Sequence, residues 1–105
     1  MTDKPKSNSF VIGPWTFKVP GNELGHSDGH TVKLEDKIAH LLEALCTHRG
    51  NIVSKEQLIE LVWQGRELSE QTIPVAISKL RKALGDDINS PQMLATIPRQ
   101  GYRMM

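Results

Sequence analysis

Two stretches decide the fold: SKEQLIELVW (54–63) and TIPVAISKLRKALGDD (72–87), joined by a short polar connector. SKEQ (54–57) is a capping box, in which the Ser54 hydroxyl takes the Gln57 backbone N–H while the Gln57 side chain reaches back. It opens a helix carrying Leu58, Leu61 and Val62, ending near Trp63 with Gly65 beyond. After QGRELS (64–69), a further helix is predicted from about Gln71 to Leu84. Ile73, Ile77, Leu80 and Leu84 recur at helical spacing and share its buried face. Pro74 must then sit in or near the first turn, where its missing N–H costs little, with Thr72 or Ser69 as the expected cap. Gly85 and Asp86-Asp87 end it.

Upstream, Ile38, Leu41, Leu42 and Leu45 form one apolar stripe of a helix from about Asp36 to His48, with Gly50 placed to stop it. Before that the period changes. FVI (10–12), TFKV (16–19), Glu23-Leu24 and TVKL (31–34) are short apolar or alternating runs broken by Gly13-Pro14, Pro20-Gly21-Asn22 and GHSDGH (25–30). They predict three or four short antiparallel strands. Downstream, MLATI (93–97) and YRMM (102–105) flank Pro98-Arg99-Gln100-Gly101, a hairpin in which Gly101 supplies the positive-φ residue. The polar residues 1–9 read as a disordered arm, and 10–105 as one α+β domain: sheet, three helices, hairpin.

Composition narrows the function classes. A chain of 105 residues supports one modest core. Its single cysteine, Cys46, allows no disulfide framework and suits a reducing compartment. MTDKPKSNSF has no apolar core of a secretory signal, and nowhere do about 18 apolar residues run together, so no membrane contact is expected of this chain itself. The formal net charge is +1, but the charge is unevenly placed. The first 50 residues hold six Lys/Arg against six Asp/Glu, whereas Gln71 to Leu84 contains Lys79, Arg81 and Lys82 and no acid. Arg99 and Arg103 add two cations on the hairpin.

On a wheel of about 100° per residue, the face of the third helix opposite its core holds Gln71, Val75, Ser78 and Lys82. Thr72 and Lys79 flank it on one side and Arg81 on the other. A small-residue, hydrogen-bonding face with basic edges suits a helix in the DNA major groove. A charged outer face is also what any surface helix carries.

The two opening stretches, together with TIPRQGYR (96–103), resemble the signature blocks of the OmpR/PhoB-type winged helix-turn-helix DNA-binding domain. GNEL (21–24) and TVKLEDKIAHLLEAL (31–45) fit that family's sheet-to-first-helix segment, so the match covers residues 10–105. The resemblance implies a four-stranded N-terminal sheet, a third helix in the major groove and a C-terminal wing at the minor groove. Sequence-specific binding of double-stranded DNA by a transcriptional regulator is implied with it, as are two copies head to tail on direct repeats. Matched to the family's motif, Val75 and Lys79 fall on base-contacting positions, and Thr72, Ser78 and Arg81 on positions touching phosphate or base. Trp63 and Tyr102 match aromatics near the DNA backbone, and Arg66 and Glu67 lie in the family's loop for RNA polymerase. Pro98 stands where many members carry a wing arginine, with Arg99 one place later. No receiver domain is expected ahead of the motif, so the resemblance does not imply phosphorylation of this chain. In style it resembles CadC- and ToxR-like one-component regulators, which fits the cytoplasmic part of an inner-membrane-anchored protein.

Other constellations carry less. His26 and His30 with Asp28 raise the question of a metal, but helical i, i+4 spacing means little in a Gly-rich loop and no second pair completes a tetrahedral set. No metal or other cofactor is expected. Cys46 reads as a packed thiol, and Trp15 and Phe17, at strand spacing, as core. The glycines of 21–29 lack the lysine and following helix of a phosphate loop. Nothing supports an enzyme. The alternative to DNA binding is a winged-helix module that contacts only proteins.

Overall fold

A computed structural model describes residues 8–19, 21–87, 89 and 91–105. The elements run β1 (Asn8–Ile12), β2 (Trp15–Val19), β3 (Glu23–His26), β4 (Thr31–Lys33), α1 (Asp36–Thr47), α2 (Lys55–Trp63), α3 (Thr72–Leu84), β5 (Leu94–Ile97) and β6 (Gly101–Met104). This is the expected winged helix-turn-helix order, with four N-terminal strands. β1 starts at Asn8, so Asn8 and Ser9, expected in the arm, pair with Val19 and Lys18. The rest of that expected arm, 1–7, lies outside the described residues.

The four strands form an antiparallel meander, β1-β2-β3-β4. Strand alternation sends Trp15 and Phe17 to one face, where Ile12 and Leu24 join them in the core. Leu41, Leu42 and Leu45 of α1, Leu58 of α2 and Leu80 of α3 reach 0% exposure against this sheet-backed cluster. Each such burial is worth about 1.5–3 kcal/mol. The Trp15 indole N–H donates to the Leu84 carbonyl at 2.9 Å, fastening the sheet to the last turn of α3. Among the described residues no helix is long and apolar enough to cross a membrane.

Only α2 among the three helices has a side-chain N-cap; Glu35 at the start of α1 makes none. At α2 the capping box forms in full: the Gln57 N–H donates to Ser54 Oγ at 3.1 Å, and the Ser54 N–H to Gln57 Oε1 at 2.9 Å. At α3 the expected Thr72 or Ser69 cap is absent. Gln71 is the N-cap and makes no side-chain cap bond. Ser69 and Thr72 instead pair their hydroxyls at 3.0 Å, and the Thr72 N–H donates to the Ser69 carbonyl. Beyond α3, the Asp86 carboxylate accepts the backbone N–H groups of Gln92, Met93 and Leu94 at 2.8, 3.3 and 2.9 Å, which sets the entry to β5.

The hairpin is stitched to the segment before α2 through Val53, whose N–H donates to the Tyr102 carbonyl at 2.8 Å and whose carbonyl accepts the Tyr102 N–H at 3.0 Å. That close approach explains Gly101. Its φ is +144°, and a Cβ there would overlap the Val53 carbonyl. Gly101 is not alone in positive φ, as the sequence led one to expect, because Arg99 at the tip has φ +66°. The Gln100 N–H donates to the Ile97 carbonyl at 3.0 Å. Pro at the second position and positive φ at the third give the tip the pattern of a type II turn, with arginine where glycine is usual.

Candidate nucleic-acid interface

One face of α3 is spent on the core: Ile73, Ala76, Ile77, Leu80, Arg81 and Leu84 are all buried. The opposite face is free. Gln71, Pro74, Val75, Ser78, Lys79 and Lys82 are exposed and Thr72 is half-buried, with Val75 presenting 50% of its surface. Val75, Ser78, Lys79 and Lys82 line one shallow hollow with Pro74. Val75, Lys79, Gln71 and Thr72 line a second with Glu35 and Lys37 from the start of α1. The two hollows share Val75 and Lys79, so these residues form one continuous surface. It is rigid because every turn beneath it is anchored by a buried aliphatic side chain.

Lys79 and Arg81 part company here. Lys79 Nζ lies 3.2 Å from Glu35 Oε1, and both side chains remain more than half exposed, at 54% and 70%. A pair so exposed adds little to stability and leaves the ammonium free to exchange partners. Arg81, expected on the DNA-facing flank, is only 7% exposed. Its Nη2 donates to the Leu94 carbonyl at 3.3 Å and to Thr96 Oγ1 at 2.5 Å, and its Nε is buried without a partner. The wheel places Arg81 about 80° from Ile73, and β5 covers that flank. Arg81 is therefore a tie between α3 and the hairpin and is withdrawn from the DNA-facing set.

The remaining sequence candidates divide similarly. Trp63 is 8% exposed and belongs to the core, with an edge bordering the hollow beside Ile38 and Ala76. Tyr102 and Arg103 are half-buried on β6, while Pro98, Arg99 and Gln100 stand exposed at the tip. Tyr102 lines a groove with Arg99 and with Lys55 and Glu56 of α2. Arg66 and Glu67 are exposed in the connector between α2 and α3, which leaves α2 through left-handed Gln64 and Gly65 (φ +53° and +74°). Sequence reading missed Glu35, Lys37 and Lys55 as neighbours of these residues. Glu35 meets Lys79 across 44 positions, and no local pattern carries such a contact.

Cys46 is buried in the core, and desolvation pushes its thiol up to about 11, against a smaller opposing pull from Arg49. A thiol held protonated is a packing group, not a nucleophile.

Solved structures share this architecture. The DNA-binding domain of CadC from Escherichia coli superposes with a TM-score of 0.80 at 29% identity, covering 95% of this chain and 94% of that one. The Klebsiella pneumoniae RstA DNA-binding domain in complex with the RstA box superposes with a TM-score of 0.81 at 26% identity, covering 92% and 96%. In sequence, the transcriptional activator CadC of Escherichia coli is 33% identical over 95 residues, which are 90% of this chain and 18% of that protein. The cholera toxin homolog transcriptional activator of Vibrio parahaemolyticus is 32% identical over 95 residues, 87% of this chain and 32% of that protein. The chain thus spans a third or less of the length of these two relatives. The profile of the family described as "Transcriptional regulatory protein, C terminal" matches residues 29–104, from the turn before β4 to the end of β6, and the chain belongs to that family.

Proposed function

We propose that this chain binds double-stranded DNA sequence-specifically as the DNA-binding domain of a bacterial transcriptional regulator. The observation that carries the reading is the outer face of α3: exposed Val75, Ser78, Lys79 and Lys82 on a helix whose other face is core, with no acid from Gln71 to Leu84. The RstA domain in complex with its box, alike in fold, supports it. In this reading Lys79 exchanges Glu35 for a guanine O6/N7 edge, and Val75 meets a thymine methyl, the apolar feature of the major groove. Gln71, Thr72, Ser78 and Lys82 hold phosphates and fix the register. Arg99 enters the flanking minor groove, where a narrow A·T-rich groove concentrates negative potential, while Tyr102 and Arg103 brace the wing against the backbone.

Arg66 and Glu67 serve as a contact for RNA polymerase, separate from the DNA surface. Two copies bind head to tail on direct repeats. Likeness to CadC supports a place on the cytoplasmic side, as part of an inner-membrane-anchored regulator. Selection of random duplexes on the purified chain tests the core of the reading: one motif should be enriched, and its affinity should fall steeply with salt. No enrichment at any sequence, even at low salt, leaves the protein-contact module as the function.

A further inference from the structure

The turn between β3 and β4 brings together three side chains outside the proposed DNA-facing set. His26 closes β3, and Asp28 and His30 follow it in the turn. Ligand atoms of all three lie within 4.8 Å of one another. Asp28 Oδ1 is 3.1 Å from His26 Nδ1 and 2.5 Å from His30 Nδ1. The backbone holds the arrangement: the His26 N–H donates to the His30 carbonyl at 2.8 Å, and the Gly29 N–H to the His26 carbonyl at 2.9 Å. The His30 N–H donates to Asp28 Oδ1 at 2.9 Å. The two imidazoles stack with centroids 4.7 Å apart, and Trp15 meets both rings edge-on at 4.7 and 5.4 Å.

His26 Nδ1 accepts the Asp28 N–H at 3.1 Å, so this nitrogen presents a lone pair within the cluster. The same nitrogen faces Asp28 Oδ1 at 3.1 Å. Tetrahedral coordination with bonds of about 2.0 Å spaces neighbouring ligand atoms by roughly 3.3 Å. The His26–Asp28 spacing is already near that value. The His30–Asp28 spacing reaches it by opening a side chain that is half exposed.

We propose that His26, Asp28 and His30 form a binding site for a divalent transition-metal ion of the zinc and nickel class. Two imidazoles and one carboxylate select such ions over magnesium or calcium, which prefer an all-oxygen shell. The three ligands leave a fourth position open to water. Loop spacing alone raised the question of a metal without answering it, since convergence depends on the two strands that hold the turn and on Trp15 beside the rings.

Zinc chloride titrated into the 15N-labelled full chain tests the site by NMR, with the Trp15 indole N–H and the His30 amide as reporters. Saturation at one equivalent is expected. Asp28→Asn, which keeps the turn's acceptor oxygen, and His30→Ala should each weaken binding at least tenfold. His48→Ala, outside the cluster, should bind zinc as the wild type does. Shifts that never saturate, or equal binding by Asp28→Asn and wild type, overturn the proposal. His26 packs on Trp15, so the two exposed ligands are the ones substituted, and an unchanged circular dichroism spectrum confirms that each variant is folded.

Discussion

The two faces of α3 differ in what the same kinds of residue are used for. On the inner face, Arg81 spends its guanidinium on Leu94 and Thr96, beside Leu80 and Ile77 in the core. On the outer face, two positions earlier, Lys79 holds only an exposed carboxylate that it can release. Charge alone does not make an interface. A cation inside the protein fixes the hairpin to the helix, and a cation outside remains available to a phosphate or base edge. The inner face should therefore govern stability and the outer face recognition.

The largest effect that sharpens this division is at Leu80, fully buried on the inner face. Leu80→Ala should cost about 2–5 kcal/mol in a denaturant titration, by lost burial and the cavity left behind. Ser78→Ala, on the outer face, should stay within about 0.5 kcal/mol. Comparable losses at both positions would break the comparison.

Cys46 tests the same core from the side of α1. Its thiol is pushed up to about 11 in the folded protein, above the ordinary value of about 8.5 in an unfolded chain. Below pH 8 both states keep the proton, so the group has no effect. Between about pH 9 and 11 only the unfolded thiol releases it, and stability falls as pH rises. Wild type should lose on the order of 1–2 kcal/mol more than Cys46→Ala across that window. Parallel pH curves would show that the thiol is not desolvated.

A smaller effect belongs to the hairpin tip. Arg99 sits at φ +66°, a conformation that costs an L-residue roughly 1–2 kcal/mol. Arg99→Gly relieves that strain and should raise stability by up to about 1 kcal/mol, after the looser unfolded chain is counted. The same variant should lose its preference for A·T over G·C pairs flanking the binding site, measured on paired duplexes. A variant both less stable and unchanged in flank preference would place Arg99 on the structural side of the division.

Local chemistry made most of the fold legible. The capping box at Ser54, the stripe of Ile38 to Leu45 and the alternation around Trp15 and Phe17 act between near neighbours, so the sequence displays them directly. The outer positions of α3 were legible for the same reason, as one side of a helical period. Contacts between distant segments were not. Arg81 lies on the margin of its helix, and only β5, 13 residues onward at Leu94, decides that it is buried. The missing side-chain cap of α3, the positive φ of Arg99 and the convergence of His26, Asp28 and His30 depend likewise on how loops are held by the elements around them.

Melting temperature and duplex affinity, measured together for wild type, Lys79→Ala and Arg81→Ala, test the division most directly. Lys79→Ala should melt with the wild type, because its exposed ion pair contributes little, and should lose about 1–3 kcal/mol of discrimination at one base pair. Arg81→Ala leaves the Leu94 carbonyl and the Thr96 hydroxyl without their donor, and should lose about 1–3 kcal/mol of stability. Below its melting point it should keep the wild-type base preference and salt slope. An Arg81→Ala protein that melts normally, yet binds every duplex more weakly with a flatter salt slope, would contradict the account.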